Sequence, residues 1–140
     1  MEVCDFVDFS LAVKLKEKGF NKECLGWYYP SEACGFDYKT TIVFNSSAYR
    51  GSNYKDMLVS HEDEKHIDAP TISQVLKWLR KKYFIHISTK PHPCEDRIMW
   101  MYEIRKFSKH ISAVVKNKTG FVEEEQATLA GIEYVLDNLI

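Results

Sequence analysis

The chain has 140 residues, a length that suits one domain, and its formal net charge is −1. Hydrophobic residues make up 45% and charged residues 28%, so the composition predicts a folded globular protein and excludes a disordered chain. We interpret residues 1–140 as a single α+β domain. The acidic start and the lack of an apolar run of roughly 18 residues predict no secretory signal and no membrane insertion. We therefore expect a cytoplasmic protein whose cysteines are free thiols.

The first predicted helix runs from Phe9 to Lys18. Asp8 is a suitable N-cap, because its carboxylate can accept a hydrogen bond from an unpaired backbone N–H of the first turn. The helical period indicates a buried face made by Leu11, Ala12 and Leu15.

Two short extended segments, Leu25–Tyr29 and Thr41–Asn45, follow this helix and predict a hairpin with a long loop. Met57–Val59 is a candidate for another short strand. The charged run His61–His66 predicts a solvated loop; its second histidine is spaced wrongly for a zinc-protease motif.

The second predicted helix has the clearest start signal. Thr71 and Gln74 have the spacing of a capping box, in which each residue bonds the backbone N–H of the other. The helix is expected to end near Lys82 and to bury an apolar stripe of Ile72, Val75, Leu76 and Leu79.

Three strands are predicted next: Tyr83–Thr89, ended by Pro91 and Pro93, then Arg97–Phe107 and Ile111–Lys116. Short connections favour an antiparallel meander. The last helix is expected to open at Thr119 or Gly120, with acidic residues in its first turn. Its predicted buried stripe is Val122, Leu129, Ile132, Leu136 and Leu139.

These elements predict an α+β fold in the order α-β-β-α-β-β-β-α. We expect one antiparallel sheet of about four or five strands, with the helices covering one face.

Two stretches carry a resemblance to known proteins. They are Leu11–Phe20, followed by Cys24, and Ala69–Ile87. Together with a C-terminal helix rich in Glu and Leu, they resemble small uncharacterised proteins of Bacteroides-group bacteria, their phages and mobile elements. The resemblance implies a shared fold and a phage or mobile-element setting. It implies no activity and no catalytic residues.

The charge distribution offers one functional hypothesis. Residues 77–118 carry eleven Lys and Arg against three acids, whereas residues 119–140 carry five acids and no Lys or Arg. A nucleic-acid-binding protein would use such cations for phosphates and exposed aromatic rings for bases. The sequence pI of about 6.5 argues against a dedicated binder. The candidate cations are Lys77, Arg80, Lys81, Lys82, Arg97, Arg105 and Lys106, and the candidate stacking rings are Trp78, Tyr83, Trp100 and Tyr102.

A protein-binding module is the first hypothesis. If Ile98, Trp100, Tyr102 and Ile104 face the helices, Met99 and Met101 lie on the opposite face of the sheet. Exposed methionines on that face would mark an interface with another protein or with a second copy of the chain. The opposite charges of the middle and the C-terminal segment are compatible with self-association into a homodimer.

A metal site or a cysteine-based enzyme is the third hypothesis. His92 and Cys94 form a short ligand pair, and Cys24 and Cys34 offer further thiolates for zinc, although the spacing follows no established pattern. A cysteine nucleophile with His86, His92 or His110 stays open. The chain has no glycine-rich phosphate loop, so we expect no nucleotide cofactor. We interpret the protein as non-enzymatic.

Overall fold

A computed structural model describes residues 5–28, 43–44 and 67–140 and shows an α+β protein with antiparallel sheets. The helices in these residues are α1 (Phe9–Glu17), α2 (Ile72–Tyr83) and α3 (Glu124–Asn138). The strands are β1 (Gly26–Tyr28), β2 (Val43–Phe44), β3 (Ile67–Ala69), β4 (Ile85–Cys94), β5 (Arg97–Phe107) and β6 (Ser112–Phe121). None of the described helices is long and apolar enough to cross a membrane.

The chain divides into two compact units. The N-terminal unit contains the described residues between Phe6 and Pro70, and the C-terminal unit contains Asp5 and residues 71–140. The interpretation of residues 1–140 as a single domain stays a prediction.

The N-terminal unit confirms the predicted first helix. The Asp8 carboxylate accepts a hydrogen bond from the Leu11 N–H at 2.9 Å, and the buried face consists of Leu11, Ala12 and Leu15. The buried Tyr28 hydroxyl donates to the Val7 carbonyl oxygen at 2.7 Å. This bond ties β1 to the segment that precedes α1.

The sheet of this unit has the order β2-β1-β3. β1 and β2 pair antiparallel, as the predicted hairpin requires. β3 pairs with the other side of β1, and no strand was predicted at its three residues. The candidate strand Met57–Val59 and the charged run His61–His66 lie outside the described residues.

The C-terminal unit begins with α2, which has the predicted capping box. The Thr71 hydroxyl accepts a hydrogen bond from the Gln74 N–H at 3.2 Å, and the Gln74 side-chain oxygen accepts one from the Thr71 N–H at 2.9 Å. The helix ends at Tyr83, one residue after Lys82 and so near the expected end. Its buried side chains are Val75, Trp78 and Leu79. Trp78 therefore belongs to the core, whereas Ile72 and Leu76 of the predicted stripe are half-buried.

The second sheet has the order β4-β5-β6, and β5 has the predicted bounds. The prediction that Pro91 and Pro93 end the preceding strand is wrong, because β4 continues to Cys94 in one unbroken register with β5. The Phe84 carbonyl oxygen accepts a hydrogen bond from the Phe107 N–H. Even-numbered residues of β4 therefore direct their backbone N–H groups toward β5, and odd-numbered residues, which include both prolines, direct their backbone nitrogens away from it. A proline at an outward-facing position of an edge strand interrupts no hydrogen bond between strands.

The start of the last helix also differs from the prediction. β6 continues to Phe121, and α3 begins at Glu124. Gly120 has φ +102° and lies at a register shift between β5 and β6, so the residue that looked like a helix boundary is part of a bulged strand. Only Ile132 and Leu136 of the predicted stripe are fully buried; the other buried residues are Ala127, Thr128, Gly131 and Val135.

The predicted single sheet is not confirmed. The described strands form two three-stranded antiparallel sheets. β3 adds a strand before α2, so the predicted element order is not confirmed either. The position of β3 along the chain, just before α2, does not indicate that β3 pairs with β1 instead of joining the β4-β5-β6 sheet.

Candidate interaction surface

The two faces of the C-terminal sheet have different surroundings. α3 packs against β4 and β5, and α2 packs against β4 and α3, so both helices lie on one side. A Cβ atom added to Gly131 of α3 would lie 3.0 Å from Ile87 Cγ2 and 3.3 Å from Tyr102 Cγ. This close approach identifies the face that carries Ile87 and Tyr102 as the helix-covered face.

We call the opposite side of the sheet the open face, because neither of the described helices of the C-terminal unit packs on it. The strand register defines its residues, because directly opposed residues share a face. They are His86, Ser88, Lys90, His92 and Cys94 of β4, Arg97, Met99, Met101, Glu103, Arg105 and Phe107 of β5, and Ser112, Val114, Asn117 and Thr119 of β6.

Met99 and Met101 lie next to each other on the open face, as the alternation along β5 predicted. His92 is directly opposite Met99, and Lys90 is directly opposite Met101. Both methionines are half-buried. Unbranched thioether side chains adapt to the shape of what contacts them, which suits a binding surface.

Glu103 organises the charges of the open face. Its Oε1 lies 2.7 Å from the Arg105 Nε, and its Oε2 lies 3.5 Å from the Lys90 Nζ. The hydrogen bond from Arg105 is the main cause that holds the pKa of the Glu103 carboxyl below its usual value. Arg105 also donates to the Ser112 hydroxyl at 3.3 Å and so links β5 to β6. On the strands of the open face, three cations, Lys90, Arg97 and Arg105, stand against this one carboxylate, so these strand residues carry a net positive charge. Glu95 and Asp96 lie beside Arg97 at the hairpin turn.

The remaining predicted cations do not join this face. Lys77, Arg80, Lys81 and Lys82 are exposed on α2, on the helix side of the sheet. Lys106 is opposite Ile85 and shares the helix-covered face. The basic residues of segment 77–118 therefore lie on two opposite sides of the sheet, whereas a single nucleic-acid-binding surface would have them on one side.

Two of the four candidate stacking rings are in the core. Trp78 is 6% exposed and Tyr102 is 2% exposed, so neither presents a ring face to a base. Tyr83 and Trp100 are half-buried. The Lys82 Nζ lies 5.2 Å from the Tyr83 ring centroid and 5.4 Å from that of Trp78, so this cation already has aromatic contacts within α2.

The predicted zinc ligands are distributed over both units. Cys24 belongs to the N-terminal unit; burial, with a contribution from the Asp68 carboxylate, raises the pKa of its thiol to about 12. His92 and Cys94 are exposed and share one face of β4. Cys34 lies outside the described residues. Among the described residues, no three His, Cys, Asp or Glu side chains gather as a metal site.

A cavity of about 430 Å³ at the start of α2 and α3 was not anticipated from the sequence. It is lined by Asp5, Thr71, Ile72, Ser73, Glu124, Glu125 and Thr128. Several of these groups already have partners: Thr71 caps α2, and Glu124 accepts a hydrogen bond from the Thr89 hydroxyl at 2.7 Å. The cavity brings together three carboxyl groups and three hydroxyl groups.

The chain matches no family model, no curated protein and no solved structure at a significant level.

Proposed function

We propose that the protein is a non-enzymatic interaction module and that the open face of the C-terminal sheet is its binding surface. The observation that carries the proposal is the placement of both described helices of the C-terminal unit on the other face, so that neither helix covers the methionine pair of the open face. Two adjacent thioethers inside an electropositive rim suit a protein partner that offers apolar side chains surrounded by acids.

The resemblance to small proteins of Bacteroides-group bacteria, their phages and mobile elements supports a setting in which such a module binds a host or virion protein. A second copy of the chain is the alternative protein partner. The free thiols of Cys24 and Cys94 support the inference that it acts in a reducing cytoplasm.

A capture experiment tests the proposal. Tagged wild-type protein and the variant Met101→Asp are incubated with a Bacteroides-group lysate, and sedimentation velocity on each protein alone measures self-association. We expect Met101→Asp to reduce partner capture or self-association at least about tenfold, because it places a charge in the centre of the interface. The matched control is Val122→Asp, which adds the same charge at a residue that is 63% exposed and outside the open face.

Two results would contradict the proposal. One is equal loss in Val122→Asp and Met101→Asp while circular dichroism shows that both variants are folded. The other is salt-sensitive binding of short DNA or RNA that a Lys81→Glu, Lys82→Glu double variant removes and Met101→Asp does not. That second result would make α2 the binding element and nucleic acid the partner.

A further inference from the structure

The far end of the β4–β5 hairpin extends beyond the rest of its sheet. β6 pairs with β5 only as far as the Trp100–Phe121 pair. Residues 92–99 therefore form a two-stranded segment, which we call the hairpin arm. Every residue from Pro91 to Ile98 is exposed, and Met99 is half-buried. Side chains on the arm are therefore accessible to a small ligand.

Soft donor atoms gather on one face of this arm. His92 and Cys94 point to the open face from β4, and Met99 points to it from β5 directly opposite His92. Opposed residues in such a pair have Cβ atoms about 5 Å apart, and diagonal neighbours about 7 Å. Cys94 and Met99 also line one cavity of about 350 Å³ at the hairpin turn, together with Glu95, Asp96 and Arg97. His92 lies on the same face, directly opposite Met99 and two residues before Cys94, so the three donors are neighbours on the arm.

This set of donors is chemically selective. Thiolate and thioether sulfur are the ligands that a soft cation such as Cu(I) prefers, whereas zinc in proteins is held by thiolate, imidazole and carboxylate. Counting only His, Cys, Asp and Glu, the described residues contain no group of three at this or any other position. Adding the thioether of Met99 completes a three-donor set, and Met101, the next residue on the same face, supplies a fourth.

We propose that the hairpin arm binds one Cu(I) ion through Cys94, Met99 and His92, with Met101 as an adjacent fourth donor. The thiol loses its proton on binding, and the ion keeps its oxidation state. The site goes beyond the interaction function, since it needs only the arm and no protein partner.

Competition for Cu(I) tests the site on the reduced full-length chain without oxygen. The protein is titrated into the coloured Cu(I) complex of bicinchoninate, and the loss of colour gives stoichiometry and affinity. We expect one equivalent per chain for the wild type, loss of this binding in Cys94→Ser, and an affinity at least about tenfold lower in Met99→Leu and His92→Gln. Met99→Leu keeps the volume of the side chain and removes only the sulfur.

The matched control is Cys24→Ser, which removes a half-buried thiol in the other unit and should bind Cu(I) like the wild type. Wild-type binding by Met99→Leu and His92→Gln would overturn the proposal, because Cys94 would then act as a lone thiol. Full binding by Cys94→Ser, or tighter binding of Zn(II) than of Cu(I), would overturn it as well. Because the titration contains the chain alone, binding of one equivalent of Cu(I) without any added partner would separate this site from the interaction function.

Discussion

Phe84 ends α2 in a backbone conformation that favours glycine. Its φ of 57° and ψ of 36° place it in the left-handed region, and its N–H donates to the Leu79 carbonyl oxygen. A side chain with a Cβ atom destabilises this conformation by about 1–2 kcal/mol. Since the Phe84 side chain is 63% exposed, burial of the ring offsets only part of that cost.

Replacing Phe84 with glycine and with alanine separates the backbone from the ring. Both variants lose the same phenyl ring, but only Phe84→Gly relieves the left-handed strain. We expect Phe84→Gly to be more stable than Phe84→Ala by about 1 kcal/mol in urea unfolding. This order is the reverse of that for an ordinary helix position, so equal stability or a more stable alanine variant would show that residue 84 is not left-handed.

At the scale of the element, β4 is an edge strand whose free side is protected by two prolines. Pro91 and Pro93 pair with Trp100 and Ile98 on the inner side and direct no N–H to the outer side. Exposed edge strands with unpaired N–H groups attract other strands, and prolines on the edge reduce this tendency. The two prolines thus keep a long, exposed arm from pairing with other chains.

Restoring the donors should restore that pairing. The double variant Pro91→Val, Pro93→Val is expected to show more concentration-dependent association than the wild type when both are measured by light scattering under the same conditions. The matched control is His92→Val, which adds a β-branched residue to the same strand without adding an outward N–H. Equal association of the double variant and the control would mean that side-chain hydrophobicity, and not edge hydrogen bonding, governs the effect.

At the scale of the whole molecule, the two units respond to opposite ends of the pH range. In the C-terminal unit the lowered pKa of Glu103 contributes stability that is present above the usual carboxyl value and is lost as the pH falls. In the N-terminal unit burial raises the pKa of both Cys24 and Tyr28 to about 12. A raised pKa means that the folded state favours the neutral form of these two groups. Their contribution to stability is therefore complete below the usual pKa values of 9.0 and 10.0, and it is lost as the pH rises toward 12.

The alkaline limb should therefore depend on the Cys24 thiol. We expect the wild type to lose more stability between pH 8 and about pH 10.5 than Cys24→Ala does. The unfolded wild type ionises Cys24 near its usual pKa of 9.0, whereas the folded wild type keeps this thiol protonated until the pH approaches 12. Urea unfolding at the two pH values measures the difference. Cys94→Ala removes an exposed thiol and serves as the control. If Cys24→Ala and Cys94→Ala show the same alkaline loss, the burial of Cys24 does not control it.

The candidate surface was only partly predictable. Alternation along β5 predicted that Met99 and Met101 would share a face opposite Tyr102 and Ile104, and the register confirms it. The basic segment read as one surface because its residues are close in sequence, but helix and strand place them on opposite sides of the sheet. The pairing of His92 with Met99 depends on the strand register, which no local pattern near either residue encodes.

The sequence by itself determined the features whose interactions close within a few residues: the Asp8 cap, the Thr71–Gln74 capping box and the alternation along β5. Their hydrogen bonds and periodicity need no distant partner. Only the tertiary structure decided that a strand continues through Pro91 and Pro93, that α3 meets the sheet at Gly131, and that the described strands form two sheets. Each of these three features depends on which side of a strand or helix is paired or closely packed. Residues that are distant in sequence determine this pairing and packing.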